Sequence, residues 1–183
     1  ATHFIENPLL TTVRAYNCKI YGELGWNSTI TTLEGYETWT PDSKTMNGAF
    51  AGLANLTSLD LTNWTFTGVE NIADLFKGCT NLREIKGISN LDVSKVSNMF
   101  GVFNGCQSLV TLDLSRWVVD NVQNMANMFS QCQSLTTLIG LENWNVSKVT
   151  NMSNMFKQCG YTAMTTLNLG TNFNTGSVTT MEY

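Results

Sequence analysis

The stretch "NMANMFSQCQSLTTL", residues 124–138, decides the reading of this chain, because it has near copies on both sides. "NMFGVFNGCQSLVTL" occupies 98–112 and "NMSNMFKQC" occupies 151–159. Three series share one period. Phenylalanines stand at Phe50, Phe76, Phe103, Phe129 and Phe156, in steps of 26, 27, 26 and 27. Cysteines follow each of the last four by three residues, at Cys79, Cys106, Cys132 and Cys159, and Leu53 holds that place in the first copy. Trp39, Trp64, Leu91, Trp117, Trp144 and Phe173 form the third series. A fixed period in this range is the mark of a repeat architecture, in which each unit buries its apolar face only by stacking on its neighbours.

One unit reads clearly at 109–132. Leu109, Leu112 and Leu114 give L-x-x-L-x-L, and the period-two spacing of the last two puts them on one face of a strand. Met125, Met128, Phe129 and Cys132 fall at i, i+3, i+4 and i+7, the spacing of one face of a short helix. Asn124 stands where an N-cap would accept an orphan amide, and Asn71, Asn98 and Asn151 hold the same place. The third and fifth units each carry one extra residue beside a glycine ("IKGISNL", "LIGLENW"), which predicts a bulge at the strand end. The pattern therefore predicts an α/β solenoid of the leucine-rich-repeat type: about six units of 26–27 residues, a parallel β-sheet on one face and short helices on the other. Residues 1–29 read as an N-terminal cap or degenerate repeat, in which Leu10, Val13, Ala15, Cys18 and Ile20 keep the strand half of the unit. Residues 30–183 read as the repeat array, its last unit incomplete at "TTMEY", so that a fragment or a further cover over Phe173 and Val178 is expected.

Composition narrows the function. With 183 residues the chain is long enough for a sizeable core. Charged residues are only 13% of it and the net charge is −4, with no run of Lys or Arg. Nothing there suits a nucleic-acid backbone or an anionic membrane. No apolar run is long enough to span a bilayer, and "ATHFIENPLL" lacks the basic and apolar regions of a signal peptide. The one histidine, His3, reads as a tail residue or tag scar, which leaves His-based triads and most metal sites hard to build.

The four repeat cysteines lie one repeat apart, so they form a row and do not converge on a point. They read as buried thiols in the core, with disulfides and metal as the other two readings. Cys18 reads as a core thiol or as an exposed reactive one. The Met series (Met99, Met125, Met152) reads as core. The Trp row reads as core or, alternatively, as a sugar-stacking platform. No pair of carboxylates can be placed at glycosidase spacing. We therefore expect no catalytic residue, no metal and no cofactor. Asn27, Asn55, Asn63, Asn145 and Asn151 fall in N-x-S/T sequons.

The outward positions of the strands are the candidate binding surface, because solenoids bind along their exposed sheet. Asp60 and Asp113 stand between strand leucines in L-D-L, and Lys86 and Asn168 come near the same row. With Thr111 and Ser115 they make the expected site: Asp60, Lys86, Thr111, Asp113, Ser115 and Asn168.

The segments "NVSKVTNMSNMFKQCGYTAMTTLNL" and "NMFGVFNGCQSLVTLDLSRW" resemble the BspA-type leucine-rich-repeat surface proteins of bacteria, over about residues 28–181. Trp in place of the usual Phe after the strand departs from that pattern, as does a first unit without Cys. The resemblance implies a secreted or cell-surface protein, a virion surface included, that adheres to a protein or glycan on a host or neighbouring cell. The alternative is a structural surface, filament or virion-decoration subunit that self-associates through its C-terminal repeat.

Overall fold

The computed structural model describes residues 7–20, 22, 24, 28–41 and 44–181. His3 and Asn27 lie outside the described residues.

The strands are short and every pairing is parallel. β1 (Thr12–Arg14) pairs with β3 (Thr32–Glu34), and β2 (Lys19–Ile20) with β4 (Thr40–Pro41). β5 (Ser58–Asp60) pairs with β6 (Glu84–Lys86), and β7 (Thr111–Asp113) with β8 (Thr137–Ile139). Each partner is the equivalent residue one repeat on: Leu59 faces Ile85, and Leu112 faces Leu138. In the strands from β5 on, the middle residue is buried and its neighbours are exposed, as alternation requires. The N-terminal stretch joins the same scheme, with Val13 paired to Leu33 and buried.

The second half of the unit departs from the sequence reading. Among the described residues it contains no α-helix. Residues 125–132 form consecutive turns in which Met128 N–H donates to Met125 O, Ser130 to Asn127 O and Cys132 to Phe129 O. The intervening amides leave the unit altogether. Met125, Asn127, Phe129 and Gln131 N–H donate to Asn151, Ser153, Met155 and Lys157 O of the next repeat, at 2.7–2.9 Å. The same four bonds recur from 99–105 to 124–130, from 72–78 to 98–104 and from 46–52 to 71–77. The reason is local. Asn127 and Gln131 sit at φ 58° and 61°, which a right-handed helix forbids. The same two columns hold Gly48, Asp74, Gly101 and Asn154, then Gly52, Gly78, Gly105 and Gln158, all at positive φ. Apolar residues at i, i+3, i+4 and i+7 thus face one way without a helix, because left-handed residues reset the chain every four positions.

Asn71, Asn98, Asn124 and Asn151 form a ladder of parallel bridges. Each Oδ1 accepts the amide two residues on, as Asn124 does from Ala126 at 3.0 Å. The expected capping role is real, but the capped element is a turn.

The expected strand-end bulge is also replaced. After β6 and β8, Gly87 and Gly140 adopt left-handed φ of 72° and 105° and open three-residue 3₁₀ turns, Ile88–Asn90 and Leu141–Asn143. These turns take up the extra residue. The glycines are needed for contact as well as for φ: a Cβ on Gly140 would lie 2.4 Å from Ser115 N, and one on Gly87 2.5 Å from Thr62 N. Gly35 does the same in the first unit, before Tyr36–Thr38.

One continuous core runs along the stack. The Phe rings form its spine: Phe50, Phe76, Phe103, Phe129 and Phe156 stack in sequence with centroids 5.5–5.7 Å apart. Trp39, Trp64, Trp117 and Trp144 are all buried. That rules out the sugar-stacking reading for the row, because no ring face reaches solvent.

Candidate binding surface

The outward residues of the strands come into register as cross-strand pairs, within separate two-stranded sheets. On one side of the buried centre Arg14 pairs with Glu34, Asp60 with Lys86 and Asp113 with Ile139. On the other, Thr12 pairs with Thr32, Ser58 with Glu84 and Thr111 with Thr137. Of the sequence-predicted site, Asp60 and Lys86 are direct cross-strand neighbours, and Thr111 and Asp113 lie on β7. Ser115 follows in the turn, and Asn168 lies beyond β8. All six are exposed.

The acidic residues also hold the backbone. Asp60 Oδ1 accepts the Thr62 amide at 2.9 Å, Asp113 Oδ1 the Ser115 amide at 2.9 Å, and Asn168 Oδ1 the Gly170 amide at 3.0 Å. Each side chain closes the turn that follows its strand. Hydrogen bonds from the Thr62 side chain and amide hold the Asp60 carboxyl below the usual range. Ser115 does the same for Asp113. One carboxylate oxygen is thus spent on the turn, and the charge remains on the surface.

Arg14 and Glu34 are additions that the sequence reading missed. Their side chains meet at 2.6 Å, well exposed, and occupy the slot that Asp60 and Lys86 fill two strands later. Counting one residue past the buried centre of each strand would have found them. A polar groove of about 530 Å³ opens beside these pairs, where the turns after β5 and β6 separate. Thr62, Asn63, Ser89, Asn90, Asp92 and Arg116 line it, with Arg116 Nη1 donating to Asn90 Oδ1 at 2.7 Å. It was not legible beforehand, since its walls come from three successive repeats of unequal length.

The cysteines settle on one of their three readings. All five thiols are free. Cys79, Cys106 and Cys132 are fully buried, and their Sγ–H groups donate to Phe50, Phe76 and Phe103 O of the preceding repeat at 3.1–3.2 Å. Burial pushes the Cys79 thiol up to about 12 and Cys159 up to about 11, and raises Cys106 and Cys132 as well. Burial therefore favours the protonated form, which is a poor nucleophile. Among the described residues no three His, Cys, Asp or Glu side chains gather as a metal site, and no helix is long and apolar enough to cross a membrane.

Of the sequons, Asn55 is tied to Ser28 O through Nδ2 and accepts from Asn81, and Asn151 caps its own turn. Asn63 and Asn145 are exposed.

The molecule so described is a run of repeats whose short strands form separate parallel pairs with polar side chains on their exposed side. The repeats themselves match the family described as "Mycoplasma protein of unknown function, DUF285", over residues 44–167 and 139–183, and the chain belongs to that family. No curated protein matches it.

Proposed function

We propose that the chain is a non-catalytic recognition module: one solenoid of the leucine-rich-repeat type, displayed outside the cell, that adheres to a protein or glycan through its exposed sheet. The observation that carries this reading is the set of equivalent exposed strand positions, the cross-strand pairs Arg14–Glu34 and Asp60–Lys86 with Asp113, each held beside a buried strand centre. Pairs set at strand spacing on a rigid support present polar groups with little ordering cost on binding. The resemblance to the BspA-type surface proteins points the same way.

The test is binding of the purified chain to immobilised host matrix proteins and glycans, beside a triple variant Asp60→Asn, Lys86→Gln, Asp113→Asn. Asparagine keeps the oxygen that accepts the turn amide, so the variant should melt with the parent. The reading expects a ligand whose affinity falls by about tenfold or more in the variant, the effect of losing charge pairs worth on the order of 1–3 kcal/mol. A ligand bound equally by both proteins would move the site off the sheet.

A further inference from the structure

The extra residue of the third repeat stands beside the polar groove. Gly87 opens the 3₁₀ turn Ile88–Asn90 in close contact with the Thr62 backbone. Residues 89–92 then line the groove together with residues 62–65 and with Arg116 of the following repeat. Trp64 and Leu91, both buried, lie at its base. Its volume, about 530 Å³, is in the range of small-molecule sites. Its polar lining sets it apart from the mostly apolar pockets that take drug-like molecules.

The bonding capacity left on the walls is mixed. Asp92 commits one oxygen: Oδ1 accepts the Ser94 hydroxyl at 2.6 Å and the Ser94 amide at 3.1 Å, and Oδ2 accepts from no described residue. Those two bonds hold the Asp92 carboxyl below its usual range, so it remains an anionic acceptor. Arg116 commits Nη1 to Asn90 Oδ1 at 2.7 Å and keeps Nε and Nη2 as donors. Exposed Asn63 adds a carboxamide that both donates and accepts. The groove thus offers a pure acceptor, a pure donor and charges that cancel. A sugar hydroxyl donates through its hydrogen and accepts through its oxygen, so adjacent hydroxyls match this mixture. An anion would be repelled by Asp92 and a cation by Arg116.

The Trp column supplies a second observation. Trp39 and Trp117 donate their indole N–H to Ala15 O and Ile88 O at 2.7 and 2.9 Å. Trp64 Nε1 and Trp144 Nε1 are buried without an acceptor, and of these two residues Trp64 lines the groove. A buried donor left unpaired is uncommon in a packed protein. A ligand oxygen reaching the base of the groove would supply its acceptor.

We infer that this groove is a subsite for one neutral sugar residue of a glycan, held by adjacent hydroxyls between the Asp92 carboxylate and the Arg116 guanidinium. It extends recognition to a surface beside the strands. It uses none of Asp60, Lys86 and Asp113, so either site can fail without the other.

The experiment is an NMR titration of the 183-residue chain with the methyl glycosides of glucose, galactose and mannose, beside glucuronate and glucosamine as charged counterparts. Saturable binding in the millimolar range, suited to so small a ligand, is expected from at least one neutral glycoside. The shifts should gather on the side-chain N–H groups of Asn63, Trp64, Asn90 and Arg116. Asp92→Asn keeps the oxygen that takes the Ser94 bonds, and Arg116→Met keeps most of the side chain's length, so both should melt with the parent. Each should bind about tenfold more weakly, the effect of one lost charge-assisted bond. The inference is overturned by no saturable shift with any of the three neutral glycosides, or by glucuronate or glucosamine binding more tightly than all of them. Shifts confined to the strands, or full affinity in either variant, would overturn it equally.

Discussion

At the scale of the residue, the fold rests on slots that recur every 26 or 27 positions. Phe129 shows what one slot contributes. Its ring is fully buried and stacked between Phe103 and Phe156, with Trp144 at 6.5 Å. Phe129→Ala should destabilise the chain by about 3–5 kcal/mol, from lost burial and the cavity left behind. Denaturant unfolding of the variant checks this, and an unchanged midpoint would contradict the spine. The cysteine slot gives a prediction in pH. The unfolded thiol titrates near 8.5, as a rough reference, whereas buried Cys79 holds its proton up to about 12. Below the lower value both states carry the proton and the contribution is complete. As pH rises through the window between the two values, the unfolded chain releases protons that the folded chain keeps, and stability falls. Melting temperatures from pH 8 upward, compared with Cys79→Ala, should show that extra alkaline loss only in the parent. The periods of Phe, Cys and Asn were plain in the sequence because each fills the same slot. The reason the second is cysteine was not, since its thiol reaches a carbonyl 29 or 30 residues earlier in the chain.

At the scale of the element, the strands were legible and the expected helix was not there. L-x-x-L-x-L alternates at period two, and the pairing follows it. The spacing of Met125, Met128, Phe129 and Cys132 fits a helix equally well, and periodicity alone cannot separate the two. The separating signal lies across repeats, in columns that read Gly48, Asp74, Gly101, Asn127, Asn154 and Gly52, Gly78, Gly105, Gln131, Gln158. Glycine, Asn and Asp recurring in one column mark a left-handed residue and argue against a helix interior. Asn127→Gly should therefore cost no more than about a few tenths of a kcal/mol, because glycine takes positive φ without strain. Asn127→Val should cost on the order of 1–3 kcal/mol, because a β-branched residue is forced to positive φ. Thermal unfolding of the pair gives the order Asn, Gly, then Val by this account. Val tolerated better than Gly would restore the helix.

At the scale of the molecule, each repeat touches its neighbours along one axis, so stability is expected to be a sum of repeat and junction contributions. The C-terminal stretch 161–181 is the least packed, with Tyr161 and Met181 exposed and Leu167, Leu169 and Phe173 only partly buried. Which outward side chains bind was only half legible. The exposed positions on β5, β6 and β7 followed from alternation, whereas the groove depends on how repeats of unequal length meet.

The central claim is that the turn segments are held by amides donated from one repeat to the next. Site-resolved native hydrogen exchange tests it most directly. The account predicts the strongest protection at Met99, Gly101, Phe103 and Gly105 and at Met125, Asn127, Phe129 and Gln131. It also predicts fast exchange at Asn154, Phe156 and Gln158, which hold equivalent positions but meet no acceptor among the described residues. Equal protection in all three rungs, or fast exchange at Met125, Asn127, Phe129 and Gln131, would contradict it.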